Sequence, residues 1–181
     1  MARHPFEYKT GHPLWVFAYG SLIWKPGFEF VKQQPAIVYG YHRSLCLYSY
    51  VHRGTPEKPG LVLALDRGGC TKGLGFMVAA EKAEQTIAYL REREMVNNAY
   101  CEVSVQMKLS DCGEKIKALT YVMNRNHPQY AKGLNESQCA ELVRQGIGQS
   151  GANPEYLNNS IQALKNMGIC DHKLERIAAL V

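Results

Sequence analysis

Apolar residues come in short runs or alternate with polar ones from Leu14 to Met123, apart from one helical stretch, and recur every three to four positions after Glu136. That order predicts strands first and helices last. Leu14-Trp15-Val16-Phe17-Ala18 is an apolar run stopped by Tyr19-Gly20-Ser21, which predicts a buried strand delivering its end into a turn. The stretch Ala36 to Ser49, rich in Val, Ile, Leu and Tyr, predicts one or two further strands. In His52 to Gly60, Pro56 and Pro59 lack N–H donors and fix φ, so this loop is excluded from a central strand. Leu61 to Leu65 and Leu74 to Val78 flank Asp66-Arg67-Gly68-Gly69-Cys70-Thr71-Lys72-Gly73, and the pattern predicts a hairpin.

The period then changes. Ala83, Ile87 and Leu90 recur at helical spacing within Ala80 to Met95, so this segment is an amphipathic helix. Tyr100 to Leu109 and Lys117 to Met123 follow as strands, and Asn124 to Gly133 is a loop around Pro128. Glu136 to Ile147 and Pro154 to Met167 carry helical spacing, broken or ended by Gly146, Gly148, Gly151 and Gly168. Asp171 is a suitable N-cap for a last short helix containing Leu174, Ile177 and Leu180. Successive strands without intervening helices argue for an antiparallel sheet or barrel, so the class is α+β. Residues 1–13 read as a polar, partly disordered leader and 14–181 as a single domain.

Composition narrows this little. With 46% hydrophobic and 20% charged residues over 181 positions, the chain can bury one core of ordinary size. A net charge of +5 favours anionic ligands slightly and is too small to argue for nucleic acid. The apolar runs are far shorter than the roughly 20 residues of a membrane-spanning helix, and no secretory signal is visible at the start. The six cysteines have no CxxC pair and no metal-ligand spacing with histidine, which points to reduced thiols in a cytoplasmic protein without a metal.

Candidate chemistry sits in few places. A glycine between two hydroxyl residues at the strand end, Tyr19-Gly20-Ser21, lets backbone N–H groups point outward as a nest for a carboxylate or oxyanion. The tetrapeptide Tyr19-Gly20-Ser21-Leu22 also suits an ordinary turn with Tyr19 in the core. In Arg91-Glu92-Arg93-Glu94-Met95, alternating charge usually marks a solvated helix face. Glu94, however, lies four positions after Leu90 and seven after Ile87, on the apolar stripe, unlike Glu92. A carboxylate there is partly buried and has a raised pKa, which suits proton transfer near neutral pH. Ser21 has no G-x-S-x-G elbow around it, so a serine nucleophile is disfavoured.

Four segments in register carry a resemblance. Tyr19 to Trp24 (YGSLIW), Gly40 to Ser44 (GYHRS), His52 to Gly60 (HRGTPEKPG) and Arg93-Glu94-Met95 resemble the ChaC branch of the γ-glutamylcyclotransferases, across most of the chain from about Trp15. The resemblance implies a small mixed or antiparallel β-barrel flanked by helices. It also implies conversion of glutathione to 5-oxoproline and cysteinylglycine, with no cofactor or metal. It assigns γ-glutamyl binding to Tyr19, Gly20, Ser21 and Leu22 and acid/base chemistry to Glu94. Tyr130, and more weakly Tyr100, are expected near the substrate. Cys101-Glu102-Val103-Ser104 and Tyr50-Val51 depart from the usual pattern of the family and bear on the exact substrate. Other γ-glutamyl amino acids or amines, or a non-catalytic peptide-binding regulator, are the alternative readings. No nucleic-acid or membrane partner is expected.

Overall fold

In the computed structural model, which describes residues 5–181, the first apolar run is strand β1 (Leu14–Ala18), with Leu14, Val16, Phe17 and Ala18 buried. Four more strands follow: β2 (Lys32–Ser49), β3 (Gly60–Val78), β4 (Tyr100–Leu109) and β5 (Lys115–Met123). They close into a barrel in the order β1-β3-β2-β4-β5. β1 runs antiparallel to β3, from Leu14↔Val78 to Ala18↔Leu74, and parallel to β5 at Val16↔Leu119. β4 is antiparallel to β5 from Tyr100↔Met123 to Lys108↔Lys115, and to β2 around Ile37↔Lys108. The expected α+β class with a mixed barrel is therefore the observed one.

The expected hairpin within residues 61–78 is absent, because β3 is continuous from Gly60 to Val78. Gly68 and Gly69 have φ of 100° and 68°, the conformations that suggest a turn, yet they bend the strand without interrupting it. β2 neighbours β3 in the sheet and supplies partners through the bend. Thr71 Oγ1 donates to the Tyr41 carbonyl at 2.9 Å, and His42 Nδ1 lies 3.2 Å from the Gly68 carbonyl. With its polar groups satisfied by a neighbour, the backbone has no need to fold back on itself.

The chain divides into two compact units, one made of the residues up to Arg43 with Leu65–Asn124, the other of Ser44–Ala64 with Arg125–Val181. The first holds β1, β4, β5 and helix α1 (Ala80–Glu94), whose buried stripe is Ala83, Thr86, Ile87 and Leu90. Phe17, Phe76, Met107 and Leu119 are fully enclosed in this unit. Residues 1–4 of the polar leader lie outside the described residues. From Pro5 onward it is tied down, by a bridge to Val103 and by Thr10 Oγ1 donating to Glu84 at 3.1 Å.

The second unit contains α2 (Glu136–Gln145), α3 (Asn153–Asn166) and α4 (His172–Ala179), with a two-residue hairpin of β6 (Ile147–Gly148) and β7 (Gly151–Ala152). Asn135 and Gln138 form a reciprocal capping box, and Asp171 accepts from the Leu174 N–H as expected. Cys139, Val143, Leu157, Leu164, Leu174 and Ile177 form the buried helical stripes. The loop at 52–60 is held rigidly. Asn153, fully buried, accepts from the Leu61 N–H at 2.6 Å and donates to the Leu61 carbonyl at 2.8 Å. Arg53 donates to the Ala152 carbonyl at 3.0 Å and stacks over Tyr156. Among the described residues no helix is long and apolar enough to cross a membrane.

Candidate active site

The buried end of β1 delivers Tyr19, 8% exposed, and Gly20 into a single 3-10 turn at Ser21–Ile23. The Ile23 N–H donates to the Gly20 carbonyl at 2.9 Å and the Lys25 N–H to the Ser21 carbonyl at 2.9 Å, while Leu22 is buried beneath. A turn this short leaves its first N–H groups without intrahelical acceptors. Arg43 braces the loop from β2. Its Nε donates to the Tyr19 carbonyl at 2.6 Å and its Nη2 to the Lys72 carbonyl at 2.5 Å.

Glu94 is the last residue of α1, with its side chain only 16% exposed, whereas Glu92 is exposed. This is the asymmetry that the helical spacing predicts. Its neighbour Arg93 turns back across the loop after β1. Arg93 Nε lies 3.1 Å from Glu94 Oε1, Nη2 donates to Ser21 Oγ at 3.0 Å, and Nη1 donates to the Lys25 carbonyl at 2.8 Å and the Tyr89 hydroxyl at 3.0 Å. Burial pushes the Glu94 carboxyl above the ordinary carboxylate range, and the charge and hydrogen bond of Arg93 pull it partly back. The carboxyl is held by a cation that is itself anchored on backbone.

A second polar group lies where β4 and β5 face each other. Arg91 donates to Glu102 from Nε at 2.9 Å and from Nη2 at 2.8 Å, and the Tyr121 hydroxyl donates to Glu102 Oε2 at 3.2 Å. Burial raises the Tyr121 phenol far above its usual value, with the charges of Glu102 and Glu94 adding to it. Tyr121 therefore stays neutral at all ordinary pH and acts as a hydrogen-bond donor. Glu102 in turn raises Arg91, chiefly through their hydrogen bond.

Of the residues singled out from sequence, the structure gathers Tyr19, Gly20, Ser21, Leu22 and Glu94 into one unit, with Arg93 as the physical link from Glu94 to Ser21. Ser21 Oγ accepts from a guanidinium, which is permanently protonated and so cannot take the hydroxyl proton as a base, in agreement with Ser21 not being a nucleophile. Tyr100 opens β4 opposite Met123, half-buried. Tyr130 belongs to the second unit. There it bridges to Leu47, donates its N–H to the His127 carbonyl at 2.9 Å and has Arg125 over its ring. Sequence reading gave Arg93, Arg43, Glu102 and Tyr121 no part in the chemistry. The i, i+4 spacing of Tyr89 and Arg93 was a signal for the first; the cross-strand pair Glu102↔Tyr121 needed the β4–β5 register. Among the described residues no group of three or more His, Cys, Asp or Glu is placed to hold a metal, and all six cysteines are free thiols.

Comparison with known proteins bears on what such a site does. Residues 14–181 match the family described as ChaC-like protein. The chain is 34% identical to the glutathione-specific gamma-glutamylcyclotransferase of Escherichia coli (strain K12), over 93% of this chain and 73% of that one. It is 33% identical to glutathione-specific gamma-glutamylcyclotransferase 1 of Homo sapiens, over 97% and 81% of the two chains. A crystal structure of a yeast γ-glutamyl cyclotransferase specific to glutathione superposes with a TM-score of 0.82 at 25% identity, covering 93% of this chain and 95% of that one.

Proposed function

This chain belongs to the ChaC-like family, and we infer that it is a glutathione-specific γ-glutamylcyclotransferase, releasing 5-oxoproline and cysteinylglycine. The observation that carries the reading at the level of chemistry is the buried Glu94 carboxyl, tied through Arg93 to the loop after β1. The nucleophile is the α-amine of the substrate itself. Its nitrogen attacks the γ-carbonyl carbon, a five-membered ring closes, and the bond from that carbon to the cysteine nitrogen breaks. Holding amine and carbonyl in contact supplies several kcal/mol of the barrier lowering.

Two proton movements remain, and one carboxylate between the two nitrogens serves both. Between ammonium and lactam the ring nitrogen loses two protons. Glu94 takes the first as the amine becomes nucleophilic and passes it to solvent. It then takes the second after attack and gives it to the departing amine nitrogen, so the enzyme ends unchanged. Its raised pKa, still restrained by Arg93, suits both halves of that cycle. The Tyr19–Leu22 loop is assigned to hold the γ-glutamyl group, with backbone N–H groups after Tyr19 facing the tetrahedral oxyanion. Support for this assignment is the turn geometry and the link from Ser21 to Arg93. For Tyr130 and Tyr100 as substrate contacts, support rests on the family resemblance. A cytoplasmic location belongs to the same proposal, in line with the free thiols.

The test is direct. Pure protein incubated with glutathione is expected to release 5-oxoproline and cysteinylglycine, and γ-glutamyl-alanine to be turned over far more slowly. Equal rates on the two substrates would remove the glutathione specificity, and binding without any 5-oxoproline would leave a regulator in place of an enzyme.

A further inference from the structure

Arg93 joins two parts of the proposed site that are distant in sequence. Every nitrogen of its planar guanidinium is engaged: Nε on the Glu94 carboxylate, Nη2 on Ser21 Oγ, and Nη1 shared among the Lys25 carbonyl at 2.8 Å, the Tyr89 hydroxyl at 3.0 Å and the Pro26 carbonyl at 3.4 Å. At 23% side-chain exposure it is mostly shielded from solvent. The fork needs room beside the loop. A Cβ on Gly27, whose φ is +75°, would stand 2.0 Å from the Tyr89 hydroxyl that Arg93 uses.

We propose that Arg93 is a positioning residue for glutathione cyclisation, fixing the orientation and charge state of the Glu94 carboxylate relative to the loop that carries Ser21. The inference rests on the reading of Glu94 as acid and base. Orientation follows from geometry, since a guanidinium anchored on two carbonyls and two hydroxyls leaves its Nε in one place. Charge state follows from the surroundings of Glu94. On its own helix it has the Arg93 cation beside it; its charge also acts on the neutral Tyr121 phenol of β5, which donates to Glu102 of β4, itself paired with Arg91. The loop contributes to Arg93 the neutral Ser21 hydroxyl and the carbonyls of Lys25 and Pro26. With Arg93 gone, burial would act on the carboxyl without the opposing cation, and Glu94 would hold its proton to higher pH. A protonated Glu94 cannot accept the ammonium proton that starts ring closure.

The experiment compares full-length wild type, Arg93→Gln and Arg93→Lys. It reads kcat and KM for glutathione against pH, and separately titrates the Glu94 carboxyl by NMR in protein carrying carbon-13 glutamate, assigned by its loss in Glu94→Gln. In Arg93→Gln the acid limb of kcat is expected to move to higher pH, together with the Glu94 titration. Its kcat at neutral pH should fall on the order of 10²-fold with a much smaller change in KM. Arg93→Lys keeps the charge and should bring the acid limb back towards its wild-type position. Because an ammonium cannot span carboxylate, hydroxyl and carbonyls at once, its kcat should stay low. An unmoved acid limb and an unmoved Glu94 titration in Arg93→Gln would overturn the proposal. Should Arg93→Gln fail to fold by circular dichroism, Arg93→Lys decides alone, and a wild-type kcat there overturns it. If wild type itself releases no 5-oxoproline, the cyclotransferase reading fails, and the NMR titration still shows whether Arg93 governs Glu94.

Discussion

Glu94 and Glu92 differ by two positions and by environment. Helical geometry placed Glu94 on the apolar stripe of α1, and its side chain is mostly covered while that of Glu92 is exposed. Replacing Glu94 by Gln removes the proposed proton carrier and keeps the volume, so turnover of glutathione is expected to drop about 10²- to 10⁴-fold with the fold intact. The same substitution has a stability signature. Because burial raises the folded carboxyl above its unfolded value, the fold favours protonated Glu94. That contribution is complete below the unfolded pKa and is lost as pH rises through the folded one. Glu94→Gln should therefore melt above wild type at neutral pH and converge with it in acid. A melting-temperature difference that grew towards low pH would contradict the assigned burial. Gly20→Val adds a side chain where the loop is proposed to meet the ligand; KM should rise sharply, and an unchanged KM would remove the loop from substrate binding.

Periodicity located the elements well and their continuity less well. α1, α2, α3 and α4 all stand within a few residues of the apolar stripes that predict them, with Asp171 capping as expected. The hairpin expected at Asp66–Gly73 became a bend in one long strand, because a glycine pair permits either and only the presence of β2 alongside selects the bend. The prolines of the loop at 52–60 excluded it from a central strand, but its anchor, Asn153, lies far along the sequence with no local signal. Asn153→Ala strands the Leu61 N–H and carbonyl without their partner in a buried place. Each unsatisfied group costs roughly 1–3 kcal/mol, so a loss of about 2 kcal/mol or more is expected. Urea denaturation measures it, and a midpoint equal to that of wild type would mean that other groups or water replace the side chain.

Taken as one molecule, the enzyme proposed here needs neither a nucleophilic side chain nor an external electrophile, since the substrate carries both reacting groups. Dialysis against a chelator is accordingly expected to leave turnover of glutathione unchanged, and a loss restored by a divalent cation would require a different mechanism. Class and family were legible in the chain, and so was the placement of Glu94 on the covered face of α1, because they depend on local facts: strand runs, a helical stripe, and short motifs in order. The raised Glu94 carboxyl was also foreseeable, since burial follows from position on that stripe. The network around it was not. Arg93 reaching back to Ser21 and Lys25, Arg43 holding the Tyr19 carbonyl, and Tyr121 donating to Glu102 all join residues separated by long stretches of sequence. Periodicity reports only which side of an element faces inward. Which partner waits there depends on barrel closure and strand register, and those emerge when the whole chain packs.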